Sequence, residues 1–379
     1  MRIHPGLSVF LDVVRFLLAA LVVIGHWTHA FPYDWPDLLR AASAAVGAFF
    51  VLSGFTIYSI TREVRPEQAP AFAVERLTRL WSVALPALLA TLLLDSLARA
   101  IAPDYYAGCC SATADQPVLR LLVNALFLGE LWGWGLSPLS NSPFWSLCYE
   151  AMFYVLFAVW LHGRGLNVRS LLMGAALIVV FGPTLLPYLG LWLLGVALAW
   201  LYLKATRVVL LALFAATLAV NVLGLLAHGL WMWLYKIALA CQWIENSIKG
   251  LYPPDTPGMV WLSASLVGGA LVFSAGLVLV MAWMPKPATA VSADRARRGL
   301  SFSRWLGEAT FPLYLLHYPV LTALSAYVFA VGSGPTLSLQ AGVALAVFAL
   351  AFAAVIPCEK LKLRLRTVFG AAGIGRNAA

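Results

Sequence analysis

Long apolar runs follow one another along the chain at 7–30, 41–61, 79–101, 143–162, 170–186, 188–203, 208–228, 259–284, 308–331 and 335–357. Most are close to the roughly twenty residues a helix needs to cross a bilayer. They predict an all-α, polytopic integral membrane protein of about ten transmembrane helices, with both termini on one side. The basic residues say which side. With the termini cytoplasmic, 19 of the 25 Lys and Arg residues fall in inner loops and 5 in outer ones, Arg15 lying inside the first run. Cytoplasmic loops carry that excess. Segments 119–135 and 231–248 are also apolar, but counting both as spans lowers the ratio to 15 against 9. Both therefore read as outer-face segments, re-entrant or interfacial, a depth that suits Trp132, Trp134, Trp231, Trp233 and Trp243. The first run is too long for a cleaved signal peptide, holds Asp12 and Arg15, and precedes no small-residue cleavage site. With no fixed-period repeat and no low-complexity linker, a single transmembrane domain over 1–379 is expected.

Composition agrees. Of 379 residues, 62% are hydrophobic and 11% charged, with a mean hydropathy of +0.87, against about 45–50% and about 25% in globular proteins. So few polar groups cannot cover a water-facing surface. A disordered chain, a secreted disulfide scaffold and a soluble two-domain enzyme are excluded. The net charge of +9 is accounted for by inner loops, so no nucleic-acid partner is expected; the bilayer is the first partner. Cys109, Cys110, Cys148, Cys241 and Cys358 form no metal-ligand spacing and read as packing residues. No metal is expected.

Ionisable side chains inside spans are costly and are functional candidates by default. The first run carries Asp12, Arg15 and His26, the fourth Glu150, the ninth Glu308 and His317, and the third Asp95 near its outer end. Counting at the 1.5 Å helical rise places Arg15 about 12 Å and His317 about 13 Å from the inner end. It places His26 about 6 Å and Glu150 about 10 Å from the outer end. Two tiers are expected: Arg15 with His317, and His26 with Glu150. Eleven residues return to within about 20° of one helix face, so Arg15 and His26 form one inward stripe. Asp12 and Arg15 also have the spacing of a plain ion pair, and Asp95 reads as solvated at the interface.

The second run holds Ser53 and Gly54, small residues that allow close helix packing. Behind it, Arg76 and Arg79 share a face at the inner mouth, where Arg62 and Arg65 can join them. Planar guanidiniums suit phosphates; ordinary inner-loop charge touching anionic lipid is the alternative. The sequence has no P-loop, GxGxxG, HExxH or nucleophile elbow.

In order, LDVVRFLLAALVVIGH, GAFFVLSGF, RLTRL, PFWSLCYEAMFY and LGEATFPLYLLHYP resemble the membrane acyltransferase-3 family of bacterial O-acyltransferases, over about residues 7 to 360. The resemblance implies an enzyme of the bacterial inner membrane. It would take an acyl group, commonly acetyl, from cytoplasmic acyl-coenzyme A and deliver it to a hydroxyl of an extracytoplasmic or lipid-linked acceptor, usually a carbohydrate. It implies His26 as the catalytic histidine, Arg15 as its partner arginine, Arg76 and Arg79 as the donor-side pair, and Glu150 as the glutamate of the WSLxxE pattern. Arg62, Ser53 and His317 are further donor-side candidates. The chain departs from the family where Ser82 replaces a proline and where Glu359, followed by Lys360 and Leu361, does not complete the family's Glu-x-Pro pattern. A secondary transporter of an anionic lipid or sugar is the competing class, though neither internal repeats nor paired broken helices support it. A structural membrane subunit would have little reason to bury His26, Arg15 and Glu150.

Overall fold

The computed structural model describes residues 4–30, 36–61, 64–110, 115–163, 167–226, 257–284, 301–332 and 336–371. Among them are twelve α-helices and no strand. In chain order these are α1 (Pro5–Ala30), α2 (Pro36–Thr61), α3 (Ala69–Ile101), α4 (Pro103–Cys110), α5 (Pro117–Ala125) and α6 (Trp145–His162). They continue as α7 (Val168–Phe181), α8 (Leu185–Lys204), α9 (Arg207–Leu226), α10 (Pro257–Trp283), α11 (Ser301–Ala330) and α12 (Leu337–Ala371). Eight helices in the described residues are long and apolar enough to cross a membrane. At two of the ten expected positions stand the shorter apolar stretches Val168–Phe181 and Arg207–Ala216. The chain is a multi-pass, all-helical membrane protein. Segment 119–135 folds as the nine-residue α5 and a short 3-10 turn at Leu131–Gly133, too short to span. Segment 231–248 lies outside the described residues.

Lipid exposure is written on α3, where Leu85, Leu89, Leu93, Leu97 and Ile101 stand exposed in an i, i+4 stripe. In water such a patch would be a liability; against acyl chains it costs nothing. At 33 residues α3 is about 50 Å long, longer than the roughly 30 Å hydrocarbon layer. A helix of that length extends past the layer or tilts within it; Arg76 and Arg79 lie near its N-terminal end.

The chain divides into two compact units. The first holds α1 up to Gly25, α2, α8, α9, α10 and the start of α11. Its core is aliphatic and aromatic, with Leu7, Leu11, Val51, Phe55, Leu198, Tyr202, Leu277 and Met281 buried together. Glycines set how closely its helices approach. A side chain at Gly54 of α2 would strike the Trp192 carbonyl of α8, and one at Gly195 of α8 would strike the Val51 carbonyl of α2. Gly47 of α2 and Gly269 of α10 repeat the arrangement against the Leu266 and Ala44 carbonyls.

The second unit holds α1 from His26, α3 to α7, α11 from Glu308, and α12. Within it α3 packs on α6 and α12. Asp95 of α3, expected to be solvated, is 1% exposed. It accepts hydrogen bonds from the Tyr106 hydroxyl (2.9 Å) and from Ser140 N (2.8 Å) and Oγ (2.6 Å). Three donors from α4 and the loop before α6 replace water, which is why the carboxylate can be buried. Burial first, and Asp95 second, push the Tyr106 phenol up to about 12, so it remains a donor across the physiological range. The cysteine reading is corrected next to it: Cys109 and Cys110 form a disulfide, a pairing that adjacent positions gave no reason to expect. Cys148 and Cys358 are buried free thiols.

Candidate active site

Helix α11 carries two internal prolines, Pro312 and Pro319. A proline has no N–H, so the carbonyl four residues earlier loses its helical donor. For Pro319 that carbonyl belongs to Leu315. Asn141, fully buried in the loop before α6, donates its Nδ2 to Leu315 O (2.9 Å) and to Thr91 Oγ1 (3.1 Å). A side chain 174 residues away thus splints the helix at the proline, two residues from His317.

His317 is 0% exposed. Its Nε2 lies 3.0 Å from Nδ1 of His26, and its Nδ1 lies 3.2 Å from the Leu313 carbonyl. The two imidazoles stack at 5.1 Å and 29°. Tyr318 stands edge-on to His26 and Tyr314 edge-on to His317. This pairing overturns the expected tiers, which set His317 level with Arg15. Counting assumed that every helix ends at the same height. Beyond the contact, α1 continues about 6 Å from His26 to Ala30, whereas α11 continues about 20 Å from His317 to Ala330. The helices are staggered, and the last turn of α1 meets the middle of α11.

From His317 a line of polar groups continues along α6. Ser146, Glu150 and Tyr154, one turn apart, form a stripe of about 12 Å. Ser146 Oγ and the Tyr314 hydroxyl are 2.8 Å apart, and Tyr314 donates to the Pro143 carbonyl at 3.2 Å. Tyr154 donates to the half-buried Glu150 carboxylate. Tyr154 also lies within electrostatic range of Arg79 and Arg76, as Tyr314 does of Glu150. Arg76 and Arg79 are half-buried, over Phe72 (5.7 Å) and Phe311 (5.5 Å) respectively. Arg76 Nε is buried without a hydrogen-bond partner. One unit therefore joins His26, His317, Glu150, Arg76 and Arg79 of the expected set.

The remaining candidates lie elsewhere. Arg15 belongs to the first unit, where it donates to Thr56 Oγ1 (3.2 Å) and pairs with Asp12 (3.5 Å). Ser53 accepts from Trp192 Nε1 at 3.2 Å in the same unit, in keeping with close helix packing beside Gly54. Arg62 lies outside the described residues. Sequence reasoning missed Asn141, Ser146, Tyr154 and Tyr314, because neutral polar side chains in an apolar run draw no attention. For Asn141 a signal existed: Pro319 announces an orphaned carbonyl that some donor must reach.

Span-length apolar helices enclosing paired imidazoles and a carboxylate, with two half-buried arginines near the N-terminal end of α3, define the class: a multi-pass membrane protein with a polar interior. Residues 8–358 match the acyltransferase-3 family model, described as an acyltransferase domain, and the chain belongs to that family. It is a membrane acyltransferase. No curated protein and no solved structure matches it.

Proposed function

We propose that this enzyme moves an acyl group, acetyl in the simplest case, from cytoplasmic acyl-coenzyme A to a hydroxyl of an extracytoplasmic or lipid-linked carbohydrate. Its setting would be the bacterial inner membrane. The observation that carries the reading is the His26–His317 pair within the helical interior, inside a chain whose family is acyl-transferring. Arg76 and Arg79, near the N-terminal end of α3, suit the phosphates of coenzyme A. The Tyr154–Glu150–Ser146 stripe offers polar partners to a pantetheine arm running from those arginines toward the histidines.

In the direct route His26 accepts the proton of the acceptor hydroxyl as its oxygen attacks the thioester carbonyl. The carbon–sulfur bond then breaks, and the thiolate takes that proton back, yielding ester and coenzyme A thiol. In the two-step route His26 itself attacks the thioester and expels coenzyme A thiolate, and the acceptor hydroxyl then displaces the imidazole from the acyl group, its proton going to the thiolate; donor alone would then label the protein at His26. Glu150 serves as the site's carboxylate beside Tyr154, and His317 stands at Nδ1 of His26. Arg15, which the family motif implies as the partner of His26, donates to Thr56 Oγ1 and pairs with Asp12 in the first unit, and no step is assigned to it.

Membranes carrying the enzyme, supplied with labelled acetyl-coenzyme A, test the reading. Label should enter the carbohydrate or lipid-linked fraction with release of free thiol. His26→Ala should abolish incorporation while leaving the protein folded. Arg76→Ala with Arg79→Ala should raise the donor KM more than it lowers kcat, as loss of uniform binding does. Full activity in His26→Ala would end the assignment. Solute flux without thioester cleavage would point instead to a transporter.

A further inference from the structure

The His26–His317 contact contains more than proximity, because hydrogen-bond polarity propagates through it. A carbonyl oxygen only accepts. His317 Nδ1, 3.2 Å from the Leu313 carbonyl, must therefore carry the proton; the opposite assignment sets two lone pairs against each other. A neutral imidazole bears one N–H. Neutrality is the economical state for this ring, fully buried and with a carbonyl and a second imidazole as hydrogen-bond partners. Its Nε2 then holds a lone pair and accepts. The atom 3.0 Å away, Nδ1 of His26, must be the donor. The neutral His26 ring consequently keeps its lone pair on Nε2.

We infer that His317 is a positioning residue that fixes the tautomer of His26, making Nε2 the basic nitrogen that receives the proton of the acceptor hydroxyl. The inference rests on the proposed role of His26 as base. The order of transfer is Leu313 carbonyl to His317 to His26, so polarity is set by the backbone of α11 rather than by a carboxylate. The Asn141 splint at Leu315 holds that stretch of α11 in register. A carboxylate in the same place would draw positive charge onto His26; a neutral imidazole sets tautomer and orientation without adding a charge to a membrane interior.

Nitrogen NMR on the full-length, ¹⁵N-histidine-labelled protein in lipid nanodiscs reads the tautomer directly, with the six histidines assigned by single substitution. In the wild-type protein His26 should show a protonated Nδ1 and an unprotonated Nε2. The reverse would overturn the inference whatever any variant does. His317→Leu should introduce the Nε2–H form and lower label incorporation at saturating acetyl-coenzyme A by roughly 10- to 100-fold, the scale of losing an orienting partner, with donor KM nearly unchanged. His317→Gln, whose Oε1 can accept from Nδ1, should recover most of that loss. Equal losses in Leu and Gln variants would also overturn it. Failure of the underlying reading looks different: His26→Ala would stay active while the wild-type tautomer remained as stated.

Discussion

Asn141 shows how one side chain can be compelled by a residue far along the chain. Pro319 strips Leu315 O of its helical donor, and Asn141 Nδ2 supplies one. Asn141→Leu would leave that carbonyl buried and unsatisfied, a cost of about 1–3 kcal/mol, seen as lower thermal stability in detergent. The same change should be milder in a Pro319→Ala background, because alanine returns the missing N–H. The two substitutions should couple by about 0.5–3 kcal/mol; strict additivity would contradict the splint. His26 and Glu150 could be picked out from the sequence, since ionisable groups in apolar runs are expensive. Asn141, Tyr314 and Ser146 could not, since their importance lies in the partner they meet.

Helices of the first unit meet through glycines that face backbone, not side chains. Such contacts leave a bulky replacement nowhere to go. Gly195→Leu in α8 should push α2 and α8 apart and destabilise by at least the 1–3 kcal/mol typical of overpacking, with apparent Tm and expression both falling. Gly174→Leu on α7, where a side chain would meet open space, should change neither. Equal tolerance at both positions would refute the close crossing. Sequence reading placed most helices well, because each apolar run reports its own free energy of leaving water. It gave Ser53 two readings, packing and a donor-side role, and the Ser53–Trp192 bond beside the close Gly54 contact favours packing.

Across the chain as a whole, the count of basic residues predicts that the segment entering α3 and the end of α12 share the cytoplasmic face. Consistent with this, Arg366 of α12 pairs with Glu75 of α3 at 2.9 Å, within one unit. Single cysteines at positions 65 and 366 should therefore react with a membrane-impermeant maleimide only when it is given to the cytoplasmic side. Labelling of the two from opposite sides would break the predicted topology. Stagger is the other property that appears only at this level. Helices that differ in length and in where they end place His26 beside His317 and not beside the residue that counting along the chain suggests.

Membrane class, approximate spans, the acyltransferase resemblance and the titratable candidates were all legible in the sequence. Transfer from water to lipid is local and sums along a run, and buried charge stands out against it. The His26–His317 bond across 291 residues, the burial of Asp95, the splinting of Leu315 and the glycine crossings belong to tertiary structure alone. They depend on how far each helix slides and turns against its neighbours. That is set by the packing of surfaces remote in the chain, which no local pattern of apolar and polar residues encodes.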